Sequence, residues 1–567
     1  MKSRPITTLK GLLDNCVERY ADNACLSWAD GGGYSYREFG EQVTVLQAYL
    51  QEHSVFPGDR VAIFGENMPN WGVAYFAITT MGAVAVPILP EFHPDAVHHI
   101  LRHGECKALF VSEHLYSKVE EFSFESMKLM LLLDDFDLIP PDASKDTLSK
   151  SLRAGVREFI KSPNRKNQAL VSRQEGVAKV MADDLACIIY TSGTTGNSKG
   201  VMLSHGNLMF DVEAAVELFP IEPEDRFLSI LPLSHTYECT LGFLIPLRCG
   251  SSIYYLKKPP TAGVLLPAMA KLHPTVMLSV PLVIEKIYKM RIQPKFSANL
   301  LIRTLYRVPF IRKMLNRLAG KKLLETFGGK LRFFGIGGAA VSAETERFLK
   351  EAGFPYAIGY GLTETAPLVA GAEPSNTRLR ATGPAFPGME IRINSPDPVS
   401  GEGEIQIKGG NVMQGYYKAP EATAEVFTDD GWFRTGDLGY IGDGGYLYIR
   451  GRLKNMILGP GGENIYPEEI EGVINEQDVV LESLVFEREG KILARIYLDY
   501  DKLDEIYGKK GLSETELRSI IESLLDEIKV TVNSRVSSFS RLNQIIEQRE
   551  PFVKTPTMKI KRFLYVE

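Results

Sequence analysis

The chain has 567 residues, 44% of them apolar and 24% charged, with a net charge of −6. A chain of this length is too long to fold around one ordinary hydrophobic core, so two to four domains or subdomains are predicted. The balanced charge gives no support for nucleic-acid binding. The six cysteines are scattered without a C-x-x-C pair, which favours reduced thiols over a disulfide framework or a zinc site. Because no segment has the apolar length of a membrane span or a signal peptide, we expect a cytoplasmic protein, at most peripheral to the inner face of a membrane.

Helix-like and strand-like patterns alternate through the first 180 residues and again from about residue 229 to 360. The predicted helices are 9–20, 71–81 and 93–103, and the predicted strands are 61–64, 83–88, 108–111, 227–231, 252–256, 276–280 and 331–336. Such alternation predicts an α/β fold in which parallel or mixed sheets are flanked by crossover helices.

The sequence changes character at about residue 381. Glycines become frequent, and short alternating runs such as 404–408 and 446–450 predict a small antiparallel or barrel-like subdomain. Further on, a helix is predicted from Pro467, and a capping box at Ser513 predicts a longer amphipathic helix. The final segment of roughly 110 residues is therefore predicted to form a small α+β domain.

Residues 190–200, with the sequence YTSGTTGNSKG, follow the apolar, strand-like run 185–189. Glycines let backbone N–H groups approach an anion, hydroxyls add donors or metal ligands, and Lys199 adds a positive charge. The mixture predicts a loop that holds nucleotide phosphates, although a plain turn is the alternative for the loop alone. The P-loop pattern fails, because Gly200 follows Lys199 where a P-loop has a serine or threonine for magnesium.

Five more segments follow in order, and each offers groups suited to a nucleotide or an anion. Residues 359–365 combine an aromatic ring, a hydroxyl and a carboxylate, and residues 432–437 end in an acid that can accept hydrogen bonds from ribose hydroxyls. The other three are 451–454 (GRLK), 461–467 (GGENIYP) and 554–562 (KTPTMKIKR). Taken singly, these segments have ordinary explanations, such as a turn cap for Asp437 or a solvated basic tail for Lys559.

Together the six segments resemble the adenylate-forming superfamily of acyl-CoA synthetases, luciferases and peptide-synthetase adenylation domains. The resemblance covers about residues 7–565, and the segment 280–288 (VPLVIEKIY) is similar to bacterial long-chain fatty acid–CoA ligases. It implies formation of an acyl-adenylate from ATP, followed by transfer of the acyl group to coenzyme A. It also implies an N-terminal domain over 1–450 with its barrel-like subdomain at 381–450, a hinge over 451–456 at Lys454, and a small mobile C-terminal α+β domain over 457–567.

The resemblance also implies roles for single residues, with ATP as the nucleotide, Mg2+ as the metal and coenzyme A as the co-substrate. The implied ATP-binding residues are Thr191, Ser192, Gly193, Thr194, Thr195, Gly196, Lys199, Gly338, Tyr360, Gly361, Asp437 and Arg452. The implied magnesium ligands are Thr191 and Glu364, and the implied catalytic residues are Lys559, His235, Thr363 and Glu364. The implied acyl- and thiol-binding residues are His235, Gly242, Leu282, Gly337, Gly338 and Gly462.

Three of these assignments leave alternatives. Lys559 is implied to bridge the acyl carboxylate and the α-phosphate, but Met558 stands where the family pattern has glycine, so Lys561 is a competing candidate. His235, implied to lie near the acyl carboxylate, is otherwise a satisfied core histidine. The small residues of 335–341 (GIGGAAV) are implied to leave room for an acyl chain, and close packing of a strand against a helix is an alternative that is compatible with this role.

Residues 291–332 carry eleven basic side chains and a single acid, Glu325, interleaved with apolar residues. The pattern predicts basic amphipathic helices that contact an anionic membrane, an acidic carrier protein or coenzyme A, or that are simply solvated. The expected partners are a fatty acid, ATP and coenzyme A, with acyl carrier protein as an alternative acceptor and no nucleic acid. A catalytically silent lipid-binding homologue is a further alternative, which the joint presence of all the motif residues disfavours.

Overall fold

Two seven-stranded sheets with helices on their faces form the larger part of the computed structural model. The structure describes residues 5–122, 127–141, 143–146, 148, 155–156, 179–191, 198–297, 300–459, 463–507, 514–555 and 559–566. Its strands are β1 (Ala24–Trp28), β2 (Gly33–Ser35), β3 (Arg60–Phe64), β4 (Val84–Ile88), β5 (Cys106–Val111), β6 (Leu129–Leu132), β7 (Leu185–Thr191), β8 (Lys199–Ser204), β9 (Arg226–Leu228), β10 (Ser252–Tyr255), β11 (Val276–Ser279), β12 (Phe333–Ile336), β13 (Tyr356–Ile358), β14 (Glu390–Asn394), β15 (Gly403–Lys408), β16 (Gly415–Tyr416), β17 (Phe433–Ile441), β18 (Leu447–Arg452), β19 (Ile457–Leu458), β20 (Asn464–Ile465), β21 (Val480–Arg488), β22 (Lys491–Leu498) and β23 (Gln544–Gln548).

The α-helices lie between these strands in the predicted alternating manner. They are α1 (Leu9–Tyr20), α2 (Tyr36–Glu52), α3 (Pro69–Thr80), α4 (Pro94–His103), α5 (His205–Leu218), α6 (Ile245–Cys249), α7 (Ala262–Leu272), α8 (Pro281–Ile287), α9 (Gln293–Ser297), α10 (Leu300–Tyr306), α11 (Pro309–Thr326), α12 (Ala343–Ala352), α13 (Pro420–Val426), α14 (Pro467–Asn475), α15 (Tyr500–Tyr507) and α16 (Glu514–Asn533). The helices predicted in the first 180 residues are confirmed as α1, α3 and α4. Their starts have local causes: Thr8 caps α1, and a proline opens each of α3 and α4.

The two large sheets are mostly parallel, which confirms the predicted α/β class. One has the strand order β13-β12-β11-β9-β10-β1-β2 and is parallel except for β2, which pairs antiparallel with β1. The other has the order β16-β8-β7-β4-β3-β5-β6, where β8 and β16 are the antiparallel strands. Strand β4 is buried along its whole length, as expected when helices cover both faces of a parallel sheet.

The antiparallel subdomain predicted from residue 381 is a four-stranded sheet of order β14-β15-β17-β18. Its edge strands β14 and β18 do not pair with each other. The subdomain predicted as antiparallel or barrel-like is therefore an open antiparallel sheet. Strand β18 continues through Arg452, and a short 3-10 turn, Leu453–Asn455, follows it. The first two residues of the predicted hinge segment 451–456 are therefore part of the sheet, because they pair with β17.

The C-terminal part has its own three-stranded sheet, β21-β22-β23, and its own apolar core. Helix α14 begins at the predicted Pro467, whereas Ser513, the predicted cap of α16, lies outside the described residues. Arg450 connects this part to the preceding sheet, since its guanidinium contacts Glu402 at 2.7 Å and Glu469 at 2.8 Å. An isolated bridge between Lys554 and Ile560 braces the segment that carries Lys559.

All six cysteines are buried and free, which confirms the expectation of reduced thiols. Burial raises the pKa of several of them, including Cys106 to about 12, so these thiols stay protonated and unreactive. Within the part of the chain that the structure describes, no helix combines the length and the apolar character needed to cross a bilayer.

Candidate active site

Three predicted nucleotide-binding residues, Asp437, Arg452 and Tyr360, come together at the carboxylate of Asp437 on β17. Arg452 stands opposite it on β18, with Nε 2.7 Å from Oδ1. The Tyr360 hydroxyl donates to Oδ2 at 2.6 Å. The Asp437 side chain is 6% exposed, whereas that of Arg452 is 45% exposed. One partner therefore engages each oxygen of this buried carboxylate, and the cation stays accessible from the cleft.

Burial and neighbouring charges shift the pKa values of Asp437 and Tyr360 in this cluster. Burial raises the pKa of Asp437, and the positive charge of Arg452 and the Tyr360 hydrogen bond oppose that rise. Burial, together with the charge of Asp437, raises the pKa of Tyr360 well above its usual value. The Tyr360 hydroxyl consequently remains a donor, and its ring is held in a fixed position beside the cleft.

A buried polar pair, Asp211 and Asn411, fixes the turn Thr363–Thr365 from the interior. Asn411 Nδ2 donates to Asp211 Oδ1 and to the Thr365 carbonyl, each at 2.8 Å. Burial raises the pKa of Asp211 well above its usual range. The turn that carries Glu364 thus depends on two residues that no sequence motif revealed, because each stands alone in its own segment.

Glu364 is connected to the base of the glycine-rich loop through Tyr416, another residue that the sequence analysis missed. The Tyr416 hydroxyl donates to Glu364 Oε1 at 2.9 Å, and Lys199 Nζ lies 4.8 Å from the centroid of the Tyr416 ring. Thr191 and Lys199 face each other at the end of the β7–β8 hairpin. Because the loop joins two antiparallel strands, it differs from the strand-to-helix turn of a P-loop, and the exclusion of a P-loop is confirmed.

The oxygen atoms of Glu364 and Thr191 are the kind of ligand that Mg2+ prefers. Glu364 keeps one oxygen that Tyr416 does not engage, and the Thr191 hydroxyl donates a long hydrogen bond of 3.4 Å to the Lys199 carbonyl. In the described part of the chain, no group of three or more His, Cys, Asp or Glu side chains could hold a metal by itself. The set fits Mg2+, which usually takes one or two carboxylates and completes its shell with phosphates and water.

Lys559 reaches the same cleft from the C-terminal end of the chain, and a hydrogen bond from its amide to the Thr555 hydroxyl at 3.1 Å braces it. Burial and the charge of Arg452 lower the pKa of Lys559, whereas the carboxylates of Asp437 and Glu364 raise it. The residue is exposed to the cleft, yet protein surrounds it closely enough for burial to have the largest effect. The structure thus brings together a lysine and two carboxylates that lie far apart in sequence.

His235 lies close enough to Lys559 for the two side chains to interact electrostatically. The Tyr237 amide donates to His235 Nδ1 at 3.2 Å, so the neutral ring carries its proton on Nε2. Burial, and then the charge of Lys559, lower the pKa of His235 to about 4. The lysine whose charge acts on both His235 and Asp437 is Lys559 and not Lys561, which favours the first of the two candidates.

Two of the predicted acyl-binding glycines, Gly242 and Gly337, have a neighbouring side chain in the space that their own side chain would take. The carboxyl group of Glu238 fills the space beside Gly242, where a Cβ atom would lie 2.6 Å from Oε1. The ring of Tyr237 covers Gly337, where a Cβ would lie 3.0 Å from Cζ. Leu282 lies on the surface of α8 and is 44% exposed. At Gly337, within the segment 335–341, a neighbouring ring takes the space of the missing side chain, and at Gly242 the Glu238 carboxyl group does so.

Gly338 and Gly361 differ in what surrounds the position of the missing side chain. Gly338 has a φ of +87°, and no heavy atom lies within 4 Å of the position of its missing Cβ. A Cβ on Gly361 would lie 1.5 Å from the Pro367 carbonyl oxygen. The first glycine therefore leaves open space where its side chain would be, while the second is required by the packing of its own turn.

Glu238 is a buried acid that the sequence analysis did not assign to the site. It is 1% exposed and opens a π-helical turn, Glu238–Leu244. The Ser229 hydroxyl donates to Oε1 at 2.6 Å, and Asn67 Nδ2 donates to Ser229 Oγ at 2.9 Å. Among the described residues Oε2 has no hydrogen-bond partner, and burial raises the pKa of Glu238 to about 8. The carboxyl group is therefore protonated at neutral pH.

Some predicted residues cannot be compared with the structure. These residues, which lie outside the described ranges, are Ser192, Gly193, Thr194, Thr195, Gly196 and Gly462. Lys454 is described and lies in the turn Leu453–Asn455, and Thr363 lies in the turn fixed by Asn411.

The fold and the groups in this cleft define an adenylate-forming enzyme. The chain belongs to the AMP-binding enzyme family, whose sequence model matches residues 13–417. It is 28% identical to the peroxisomal long chain acyl-CoA synthetase 7 of Arabidopsis thaliana, over 98% of this chain and 84% of the relative. It is 31% identical to the long-chain-fatty-acid–CoA ligase heimdall of Drosophila melanogaster, over 83% of this chain and 73% of the relative. The chloroplastic long-chain-fatty-acid–[acyl-carrier-protein] ligase AEE15 of Arabidopsis thaliana is 26% identical, over 94% of this chain and 81% of the relative.

Solved structures agree with the fold. ATP-bound MatB from Rhodopseudomonas palustris has a TM-score of 0.73 at 24% identity and covers 98% of both chains. The o-succinylbenzoate coenzyme A synthetase MenE from Bacillus subtilis, in complex with ATP and a magnesium ion, has a TM-score of 0.72 at 22% identity, over 97% of this chain and 98% of that one. The protein is thus an acyl-CoA synthetase-like enzyme of the AMP-forming acid–thiol ligase class, with a large N-terminal and a small C-terminal domain.

Proposed function

We propose that this enzyme converts a long-chain fatty acid and ATP into an acyl-adenylate and pyrophosphate, and then transfers the acyl group to coenzyme A with release of AMP. The observation that carries the proposal is the convergence of Lys559 and His235 on the cleft that holds Asp437. The choice of acid and thiol is supported by relatives that are named long-chain acyl-CoA synthetases and ligases.

Nucleotide binding is proposed to use the cluster around Asp437. Its carboxylate accepts hydrogen bonds from the ribose hydroxyls, while Arg452 and Tyr360 hold it in place. The Tyr360 ring lies against adenine. Lys199, at the end of the β7–β8 hairpin, orients the β- and γ-phosphates as a point charge.

Adenylation joins two anions, so positive charge and donors in the cleft should dominate the rate. A carboxylate oxygen attacks the α-phosphorus, the bond to the bridging oxygen of pyrophosphate breaks, and pyrophosphate carries away the electron pair. Lys559 Nζ is proposed to contact the carboxylate and the α-phosphate together, while His235 Nε2–H donates to the carboxylate and Thr363 contacts the α-phosphate. Loss of one such preorganised donor typically costs about 10²–10³ in rate.

Magnesium is proposed to be held by Glu364, with Thr191 as the second protein oxygen. When bound, the ion neutralises phosphate charge during the departure of pyrophosphate. Tyr416 orients Glu364 through its hydroxyl, so the metal side of the cleft is braced by the same residue that contacts Lys199.

Thioester formation requires the thiol to replace pyrophosphate in the cleft. We propose that the C-terminal domain rotates at Lys454, which withdraws Lys559 and brings Gly462 toward the thiol entry. Acyl carrier protein is the alternative thiol, supported by the similarity to a relative named as a ligase for that carrier. The thiol acceptor therefore needs its own measurement.

The proposal is tested by ATP–pyrophosphate exchange with carboxylic acids from short to long chains, followed by addition of coenzyme A or acyl carrier protein. We expect exchange with long-chain acids and thioester formation with coenzyme A. Absence of exchange with every acid would refute the enzymatic proposal. Exchange with carrier protein as the sole productive acceptor would instead support the alternative.

A further inference from the structure

We propose that helices α10 and α11 form a docking surface for a bilayer that contains anionic phospholipid. This surface, the α10–α11 face, comprises the exposed side chains of residues 300–321. Its large apolar members are Leu300, Leu301, Val308, Phe310, Met314 and Leu318. Phe310 is 80% exposed and Leu300 is 77% exposed, values far from those of core residues. Single exposed apolar residues are ordinary, but a contiguous set of this size marks an interaction site.

The spacing of these residues gives the face an ordered pattern. Along α11, one stripe consists of Phe310, Met314 and Leu318, which are four residues apart and hence share a helix face. A second stripe beside it consists of Lys313, Arg317 and Lys321. The buried residues of α11 are Asn316, Gly320 and Leu323, so this helix packs through another side. An apolar stripe next to a basic stripe is the pattern of an interfacial helix.

Most of the basic residues in this segment are not needed for internal ion pairs. Of the eleven in 291–332, Arg312 pairs with Glu351 at 2.7 Å and Arg332 pairs with Asp225. The remaining nine (eleven less two) are exposed and form no ion pair with any residue that the structure describes. Exposed cations beside exposed apolar side chains match the two layers of a lipid surface, with phosphates above and acyl chains below.

Other occupants fit the face less well. A second copy of this chain in a two-fold contact would bring the five unpaired cations of the face (Arg303, Arg307, Lys313, Arg317 and Lys321) close to those of the first, with like-charge repulsion. An acidic carrier protein would satisfy the cations but leaves the exposure of Phe310 and Leu300 unexplained. Nucleic acid leaves the same apolar residues without a partner. Anionic lipid accounts for both kinds of side chain.

The face also has a short connection to the active site. Helix α8 begins the run of helices that leads to α10, and Glu285 on α8 accepts a hydrogen bond from the Ser342 amide at 2.6 Å. Ser342 ends the segment that starts at Gly338, one of the predicted acyl- and nucleotide-binding residues, where a side chain would meet open space. Delivery of a lipid-soluble acid from this face to the cleft rests on the proposed function, whereas the docking itself does not.

The test measures co-sedimentation of the full-length protein with vesicles, without acid, ATP or thiol. Vesicles of phosphatidylglycerol mixed with phosphatidylcholine are compared with vesicles of phosphatidylcholine alone, at low and high salt. We expect binding to the mixed vesicles, weakened by salt. Each cation near an anionic surface contributes roughly fivefold to partitioning, so the triple variant K313Q/R317Q/K321Q should bind about 100-fold more weakly.

The apolar part is tested with F310S/L318S, which should lose binding at both salt concentrations. The matched controls are V399S, at a 96% exposed position elsewhere, and R488Q/K491Q on the C-terminal sheet; both should bind like the parent. Thermal melting of every variant checks the fold. The proposal is overturned if the parent binds no vesicles, if the controls weaken binding as much, or if these substitutions abolish capture of a purified acidic carrier protein while vesicle binding is unchanged.

Discussion

Glu238 and Gly242 occupy the same π-helical turn, and the carboxyl group of the first takes the space that a side chain on the second would need. A Cβ on residue 242 would lie 2.6 Å from Oε1 and 2.7 Å from the carboxyl carbon. We expect Gly242→Ala to displace Glu238 and to destabilise the fold by about 1–3 kcal/mol, the usual cost of overpacking. Thermal unfolding checks this, with Gly263→Ala as the control, because no atom lies within 4 Å of that position. Equal melting of both variants would contradict the prediction.

The raised pKa of Glu238 makes stability depend on pH. Below the usual carboxyl pKa of about 4.3 both folded and unfolded chains hold the proton, and this group has no effect. From there to its folded pKa of about 8, only the folded chain holds it, so the free energy of unfolding falls by about 1.4 kcal/mol per pH unit. We expect Glu238→Gln, which keeps the shape without an ionisable group, to gain thermal stability over the parent as the pH rises through this window. Melting curves that stay parallel across it would refute the assignment.

The engagement of both oxygens of Asp437 predicts a graded response in ATP binding. Asp437→Asn removes the charged partner of Arg452 and should raise the KM for ATP about 10- to 100-fold. Tyr360→Phe removes only a hydroxyl donor and keeps the ring, so a rise of about fivefold is expected. Steady-state exchange kinetics measure both, with the KM for the acid as the internal control. Equal rises in the KM for acid and ATP would mean that the cluster does not serve the nucleotide.

Lys559 and Lys561 offer a matched pair of substitutions two residues apart. If Lys559 acts as proposed, Lys559→Ala should slow adenylation by about 10²–10³ and leave thioester formation from supplied acyl-adenylate nearly unchanged. Lys561→Ala should affect neither step. Single-turnover measurements separate the two half-reactions. An equal loss in both steps for Lys559→Ala, or a larger effect from Lys561→Ala, would reverse the assignment.

His235 should act as a neutral donor across the physiological pH range, because its pKa is lowered to about 4. The adenylation rate is therefore expected to show no decline centred near the ordinary histidine value of about 6.5. His235→Gln, which keeps an N–H donor, should retain more activity than His235→Ala. A pH profile of the first half-reaction for the three proteins checks this. A midpoint near 6.5 that disappears in the glutamine variant would show that His235 titrates there.

Local patterns predicted the elements of the fold well but not how they associate. The apolar runs at 61–64 and 83–88 became β3 and β4 because each is bounded by turn residues and needs no distant partner to be visible in the sequence. The pairing of β1 with β10 joins segments more than 200 residues apart, and no local pattern encodes it. The antiparallel segment was predicted from its alternating runs, but its closure could not be, since closure depends on whether β14 meets β18.

Site residues that belong to an ordered motif could be predicted from the sequence. Those whose role depends on buried contacts between distant segments could not. Asp437 and Arg452 were singled out from their segments, although their direct contact across β17 and β18 was not. Asp211 and Tyr416 were not predicted, because each acts through a hydrogen-bond partner from a distant segment. The contact of Glu238 with Gly242 could not be predicted either, because a sequence shows a missing side chain but not the neighbour that fills its place.

Arg450 shares one guanidinium between Glu402, on the sheet side, and Glu469, on the C-terminal side. A rotation of the C-terminal domain would part Arg450 from Glu469 while Glu402 stays within reach. Dissolved ions screen such half-exposed pairs, and each is worth roughly 0–1 kcal/mol. If the C-terminal domain rotates at Lys454 as proposed, low ionic strength should favour the orientation in which Arg450 pairs with both acids, and high ionic strength should weaken that preference.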